Sequence, residues 1–320
     1  MLNRRQTLSV MVGGLAIPLL PALRALSAPL NYHLRPQLLA EGVWMVAGAQ
    51  EAITPANGGA IANVAILDSS SGAIIIDSGP SRRFGEALAA LARDLTGKPI
   101  VRVYLTHFHP DHVFGNQAFE RDVLAATPGT IQGLQEMGDG FADAMYRTVG
   151  DWMRGTELVV PATAVTGEVE EFGSRRIRPL LMKGHTSSDL VLFDEVSGIL
   201  FAGDLVFLDR APTTPQADIE RWRINLANLG GIPHNLLMPG HGPAEQGDRG
   251  IRQTRDWLET IEGIVRRAFE DGLDINEATQ LPLPEWTTKI ALSRYEFERT
   301  VMHLYPKFEA EYWPRVDMPR

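Results

Sequence analysis

Short apolar runs alternate with helical patterns along most of this chain. Residues 43–46, 61–67, 73–77 and 100–105 are rich in Val and Ile and read as buried strands. Between the last two, the spacing predicts a helix over 81–96. Ser81 can cap it, Phe84, Leu88, Leu91, Ala92 and Leu95 form one apolar face, and Gly97 with Pro99 stops it. Residues 128–152 carry a helical pattern interrupted by glycines. Strand signals return at 165–172, at 175–182 across a Gly173-Ser174 turn, at 190–193 and at 199–202. A helix over 217–229, a short strand at 235–238 and a long helix over 247–270 follow. A last helix opens on a Ser293-x-x-Glu296 capping box and should bend or break before Pro306. Its aromatic residues Tyr295, Phe297, Tyr305, Phe308 and Trp313 are expected to pack it onto the body. Strands and helices thus alternate in two successive halves, which argues an α/β layered fold with helices covering the sheets.

The beginning of the chain follows another plan. Residues 1–27 run from a charged start through an apolar stretch, Leu8 to Leu23, to small residues around Ala25, Ser27 and Ala28. That is the layout of a secretory signal peptide, and Gly13, Gly14, Pro18 and Pro21 interrupt it too often for a membrane span. Arg4 and Arg5 within Asn3 to Leu8 resemble a twin-arginine signal, although Asn3 and Thr7 depart from its usual residues. The mature chain is then expected from residue 28 to 320 as a single domain, with 246–320 as its C-terminal helical part, free in the periplasm with no stable membrane anchor.

Composition narrows the chemistry further. Of 30 basic residues three fall in the first 27, leaving 27 against 39 acidic ones and a formal charge of −12. With no basic run to offset phosphate repulsion, nucleic acid is excluded as a partner led by electrostatics. The chain has no cysteine, so disulfides, thiol nucleophiles and thiolate metal sites are excluded together. Any transition-metal site must use His and carboxylate.

Such a site is written into the loop after the strand at 100–105. Thr106-His107-Phe108-His109-Pro110-Asp111-His112 is a His-x-His-x-Asp-His cluster. His107 and His109 can share one metal, while Asp111 and His112, past the proline, can face a second. Four ligands do not close two sites, so more are demanded downstream. Gly184-His185-Thr186, Ala202-Gly203-Asp204 and Gly240-His241-Gly242 supply them, each at a predicted strand end beside glycine. His33, His234 and His303 read instead as hydrogen-bonded structural residues. Trp222 and Arg223 can line the cleft entrance, or simply be a packing residue beside a solvated charge.

The order His-x-His-x-Asp-His, Gly-His, Gly-Asp, Gly-His-Gly resembles the metallo-β-lactamase superfamily over nearly the whole mature chain. The resemblance implies a four-layer αβ/βα sandwich with the metals at one edge of two facing sheets. It implies that His107, His109 and His185 bind one metal, that Asp111, His112 and His241 bind a second, and that Asp204 bridges both. Asp77, in Ile76-Asp77-Ser78-Gly79, matches the residue that supports the ligand loop by hydrogen bonding. Asp204 sets the chain apart from the lactam-hydrolysing branches and resembles the glyoxalase-II-like ones. The segments 55–59, 109–116 and 218–226, with the signal, look like exported hydrolases of sulfur-oxidation and quinoprotein relay systems. The expectation is a hydrolase with two Zn²⁺ ions, acting on an ester, thioester or related bond of a small anionic substrate through a metal-bridging hydroxide, with Asp111 orienting it. The rivals are a mononuclear iron sulfur dioxygenase using His107, His185 and Asp204, and a non-catalytic exported metal- or ligand-binding protein.

Changing both Arg4 and Arg5 to Lys should abolish delivery of mature protein to the periplasm, since twin-arginine recognition needs the guanidinium pair. Cell fractionation reads the result, and normal delivery would mark the segment as a general secretory signal.

Overall fold

The computed structural model describes residues 30–312; the 1–27 leader and Trp313 lie outside them. One sheet runs in chain order: β1 (Pro36–Ala40), β2 (Val43–Val46), β3 (Val64–Ser69), β4 (Gly72–Ile76), β5 (Ile100–Tyr104), β6 (Leu124–Ala126) and β7 (Thr163–Ala164). Its first four strands pair antiparallel and the rest join in parallel. A second sheet holds β8 (Glu170–Phe172), β9 (Arg175–Met182), β10 (Asp189–Asp194), β11 (Ile199–Phe207) and β12 (Leu236–His241), in the order β12-β11-β10-β9-β8. The helices are α1 (Arg82–Thr96), α2 (Pro110–Val113), α3 (Pro128–Val149), α4 (Ile219–Gly230), α5 (Arg249–Glu270), α6 (Ile275–Thr279) and α7 (Ser293–Tyr312). No helix among the described residues is long and apolar enough to cross a membrane.

Alternation along the strands sorts the core into layers. Ile74 and Ile76 of β4 join Met45, Leu67 and Tyr104 in a cluster that meets Leu190, Leu192, Ile199 and Phe201 of the other sheet. The alternate residues of β4, Ala73 and Ile75, point the other way and pack with Phe84, Leu88 and Ala92 of α1 and Leu134 of α3. On the far side, Val191, Leu200 and Leu237 pack with Trp222 of α4, Trp257 and Ile261 of α5, and Phe297 and Val301 of α7. The result is the four-layer αβ/βα sandwich, with strands buried on both faces and therefore written as unbroken apolar runs.

Helix α1 forms as its sequence predicts: Ser81 accepts from the Phe84 amide, and Gly97, at φ 66°, returns its amide to the Arg93 carbonyl. Elsewhere the chain departs from its local signals. The expected strand at 165–172 forms only over its last three residues: β7 ends at Ala164 in one sheet, and the chain, with Gly167 at φ 92°, crosses to enter β8 in the other. Edge strand β1, opened by a proline, and three-residue β6 carry no pattern long enough to read. Helix α7 continues through Pro306, since Leu304, Tyr305 and Phe308 are buried and the rings of Tyr305 and Phe308 lie 5.5 and 6.1 Å from Phe269 on α5. Its capping box does not form as written: the Glu296 carboxylate turns to Thr213 and Arg299. Tyr295, expected to pack, is 46% exposed.

A buried arginine of the second sheet, paired with a carboxylate of its own sheet, reaches across to the first. Arg175 on β9 donates to Asp194 at the end of β10 and, with Nε, to the Asp68 carbonyl of β3 at 2.7 Å. Both side chains are buried. Asp194→Ala would leave the guanidinium buried without its counter-charge, so unfolding in urea should show a loss of about 3–5 kcal/mol. A loss under about 1 kcal/mol would show that backbone carbonyls alone satisfy Arg175.

Candidate metal centre

The loop after β5 is held from below by one carboxylate. Asp77 follows β4 in the left-handed region, at φ 61°, which aims its side chain along the sheet edge. Its Oδ1 accepts the Thr106 amide at 2.8 Å, and its Oδ2 accepts the Thr106 hydroxyl at 2.9 Å and His112 Nδ1 at 2.8 Å. An ionised carboxylate can only accept, so these bonds fix protons. His112 carries its proton on Nδ1 and turns Nε2 inward, toward Asp204 and Asp111. Thr106 Oγ1 spends its proton on Asp77 and receives His107 Nδ1–H at 3.0 Å, which leaves His107 Nε2 bare.

Other elements set His241 and His109 the same way. His241, the last residue of β12, donates Nδ1–H to the Ile61 carbonyl at 2.8 Å. His109 gives Nε2–H to the Gln216 carbonyl oxygen at 2.9 Å, so its Nδ1 is bare and stands 2.8 Å from His185 Nε2. Burial pushes the pKa of His107, His185 and His109 down, which favours the neutral, ligand-competent ring. For His112 burial acts the same way, but Asp204, Asp111 and Asp77 overcome it and raise the value. Asp204 is fully enclosed, yet His241, His112 and His107 hold its carboxyl well below the usual range.

Electron pairs from seven buried side chains therefore converge on one volume. His107, His109, His185 and Asp204 form one group able to hold a metal ion, and Asp111, His112 and His241 form another. Asp204 Oδ2 lies 3.3 Å from His185 Nε2 and 3.7 Å from His107 Nε2, while Oδ1 is 3.3 Å from His112 Nε2. Asp111 Oδ2 lies 3.5 Å from His112 Nε2 and 3.4 Å from His241 Nε2. Two ligands about 2.0–2.1 Å from one tetrahedral ion stand about 3.3–3.4 Å apart, so these spacings fit divalent ions. His107 Nε2, His112 Nε2 and Asp204 Oδ1 are buried with no hydrogen-bond partner among the described residues, as atoms reserved for a cation would be.

Two ligand positions differ from the strand ends that the sequence suggests. Pairing runs on through Asp204 in β11 and His241 in β12, and the register slips on either side of Gly203. That bulge, with Gly203 at φ 51°, turns Asp204 toward the ligand loop. Gly240 is required for closeness, not for rotation: a Cβ there would stand 2.0 Å from Asp204 Oδ1. Of the two readings of Trp222, packing holds. Its ring is fully buried 5.1 Å from His185 and its indole donates to the Leu205 carbonyl at 2.8 Å, while Arg223 pairs with Glu262. His234 is engaged by two backbone carbonyls, and His303, which borders the cleft, is engaged by the Arg299 carbonyl. Two supporting residues left no signal in the sequence. Gln216 orients His109, and Asn63 clamps the His241 loop by donating to the Pro239 and Gly242 carbonyls at 2.8 and 2.7 Å.

A family model described as the metallo-beta-lactamase superfamily matches residues 57–261. The chain is similar to the metallo-beta-lactamase type 2 of Bacillus cereus, with 24% identity over 197 residues covering 59% of this chain and 69% of that protein. It is similar also to the atrochrysone carboxyl ACP thioesterase of Aspergillus fumigatus, with 25% identity over 233 residues covering 70% of this chain and 67% of that protein. Among solved structures, a metallo-beta-lactamase from Pontibacter korlensis superposes with a TM-score of 0.57 at 20% identity, over 71% of this chain and 99% of that one. The last likeness is one of fold.

Asp77→Ala should weaken divalent-metal binding about 10- to 100-fold, because His112 and the ligand loop lose the acceptor that fixes them. Competition against a chelating dye measures this, and an unchanged affinity would confine Asp77 to holding Thr106.

Proposed function

The chain belongs to the metallo-beta-lactamase superfamily, and from that premise we propose that it is an exported hydrolase with two divalent ions, zinc by preference, that cleaves a thioester, ester or related bond of a small anionic substrate. The observation that carries this reading is the convergence of seven buried electron-pair donors with Asp204 between two groups of them. The second group is complete and buried, which favours two ions over the single iron of a dioxygenase. The likeness to a thioesterase supports the choice of bond. Export rests on the sequence of residues 1–27, and a tie to sulfur-oxidation or quinoprotein relay systems rests on the segments at 55–59, 109–116 and 218–226.

His107, His109, His185 and Asp204 would hold one ion, and Asp111, His112 and His241, sharing Asp204, the other. Ions held there supply Lewis acidity toward the substrate's acyl oxygen and acidify water for attack at neutral pH. The protein's own groups do the rest. Asp111 borders the cavity and is placed to orient the attacking water. Asp77, through His112 and Thr106, keeps the ligand imidazoles in the tautomers that point electron pairs inward. Phe141 and Met145 of α3 line one side of the cavity and exclude bulk water there. Two dications against Asp111, Asp204 and a hydroxide leave a cleft of about +1, which suits an anionic substrate despite the acidic exterior.

Protein purified without added zinc should hold close to two divalent ions per chain by elemental analysis, and His107→Ala should lose metal together with activity. A thioester and ester panel should show turnover. One tightly bound iron, with no hydrolysis after zinc loading, would overturn the proposal. Asp204 would share its charge between two ions held there and make them less electrophilic than a pair without it, so β-lactams should be poor substrates. A kcat/KM near about 10⁶ M⁻¹s⁻¹ on a penicillin would reverse that assignment.

A further inference from the structure

The metal centre opens into a cavity of about 380 Å³ whose two walls differ in chemistry. One wall is apolar: Ile53 and Ile61 come from the segment before β3, and Phe141 and Met145 from α3. The other is charged and carries Arg210, from the turn after β11, with Glu296 and Arg299 of α7. Helix α7 lies beyond residues 57–261, so two of these three side chains fall outside what the chain shares with its family model.

Arg210 is the feature without an internal explanation. Its side chain is 4% exposed, and its Nε and Nη1 have no hydrogen-bond partner among the described residues. The carboxylate beside it, Glu296, is 4.0 Å from Nη2 and already engaged, by Arg299 Nη1 at 3.1 Å and by the Thr213 hydroxyl at 2.9 Å. Two guanidiniums thus share one carboxylate, and the wall keeps an excess positive charge. A buried cation is retained where an anion meets it.

The backbone is strained to build this wall. Among the described residues the non-glycine positions at positive φ are Asp77, Asp209 and Leu292. Asp209 (φ 58°) precedes Arg210, and Leu292 (φ 61°) precedes α7 and accepts the Glu296 amide. Between them runs a two-stranded bridge, with the Ala211 amide on the Ala291 carbonyl and the Ala291 amide on the Asp209 carbonyl, each at 2.9 Å. A leucine gains nothing local from a left-handed conformation, and such strain collects where a ligand must be clamped. The bridge locks Arg210 and the first turn of α7 into one unit. That unit adjoins the reacting centre: Arg210 lies 5.8 Å from the Phe207 ring, which stacks on His241 at 5.1 Å.

We propose that Arg210 and Arg299 seat a second, non-reacting anionic group of the substrate, a terminal carboxylate joined to the scissile bond by a short apolar chain that lies against Ile53, Ile61, Phe141 and Met145. The reaction rests on the hydrolase reading above; the binding does not. The test compares aryl thioesters of glutaric acid and of its monomethyl ester, which differ in the terminal charge. Metal-loaded full-length wild type should favour the acid about 10- to 100-fold in kcat/KM, the range of a charged hydrogen bond. Arg210→Gln should bring that ratio close to one, and Arg299→Gln, which removes a partly exposed guanidinium without opening the core, should reduce it several-fold. Calorimetric titration with hexanesulfonate, a weak ligand for metals, should show affinity falling about tenfold or more in both variants. Turnover of both thioesters at a ratio indifferent to both arginines would discard the subsite and leave the hydrolase. Hexanesulfonate binding that depends on the arginines, with neither thioester cleaved, would discard the hydrolase and uphold the subsite.

Discussion

Seven electron-pair donors, all buried and all facing one another, form an arrangement that a protein cannot keep without positive charge at its centre. His185, whose Nδ1 has no partner among the described residues, stands with Nε2 2.8 Å from His109 Nδ1, and the other four imidazoles commit their protons outward, to Asp77 for His112, to Thr106 for His107, to Gln216 for His109 and to Ile61 for His241. Inward they offer lone pairs only, and the two carboxylates add negative charge. Much of the surrounding structure can be understood as what holds this repulsive set together. Asp77 accepts a left-handed backbone that disfavours L-residues, by roughly 1–2 kcal/mol, so that one carboxylate can fix both the ligand loop and His112.

The two sheets divide that work. The first presents the loop after β5 with four of the ligands, and the second delivers Asp204 and His241 from adjacent parallel strands. Those two side chains come close because Gly240 has no Cβ to stand against Asp204 Oδ1, and because a bulge at Gly203 turns Asp204 out of strand register. Asn63 joins the halves directly, since it leads into β3 of one sheet and donates to both sides of the His241 loop of the other. Arg175, paired with Asp194 in its own sheet, gives a second tie by donating to the Asp68 carbonyl of β3. Metal affinity and cohesion of the sandwich are therefore parts of one framework.

Helix α7 extends that framework past the residues shared with the family model. It packs Phe297, Val301 and Phe308 into the outer core while turning Tyr295, Glu296 and Arg299 toward the cavity. The ligands at the metal edge all lie within the residues that the family model matches, whereas α7, which supplies part of the far wall of the cleft, lies beyond them. That division is how one scaffold accommodates different substrates.

The sequence alone was enough for the layered α/β class, for helix α1 with both its caps, and for the seven side chains that converge, because each rests on a local rule. Buried strands need unbroken apolar runs, a helix end needs Ser or Gly, and His-x-His-x-Asp-His has no packing rationale. Asp77 was legible only through resemblance. What the sequence left open depends on contacts between distant segments. Gly203 and Gly240 look like turn residues, and only the pairing of β11 with β12 shows a bulge and a close approach. The stretch 165–172 looks like one strand until Gly167 carries the chain from one sheet to the other. Pro306 reads as a break, yet packing of Tyr305 and Phe308 on Phe269 outweighs one missing backbone bond. Arg210, Gln216 and Asn63 are unremarkable in the sequence, because a side chain's role in a cleft is set by which far-off atoms reach it, and those distances exist only in the folded chain.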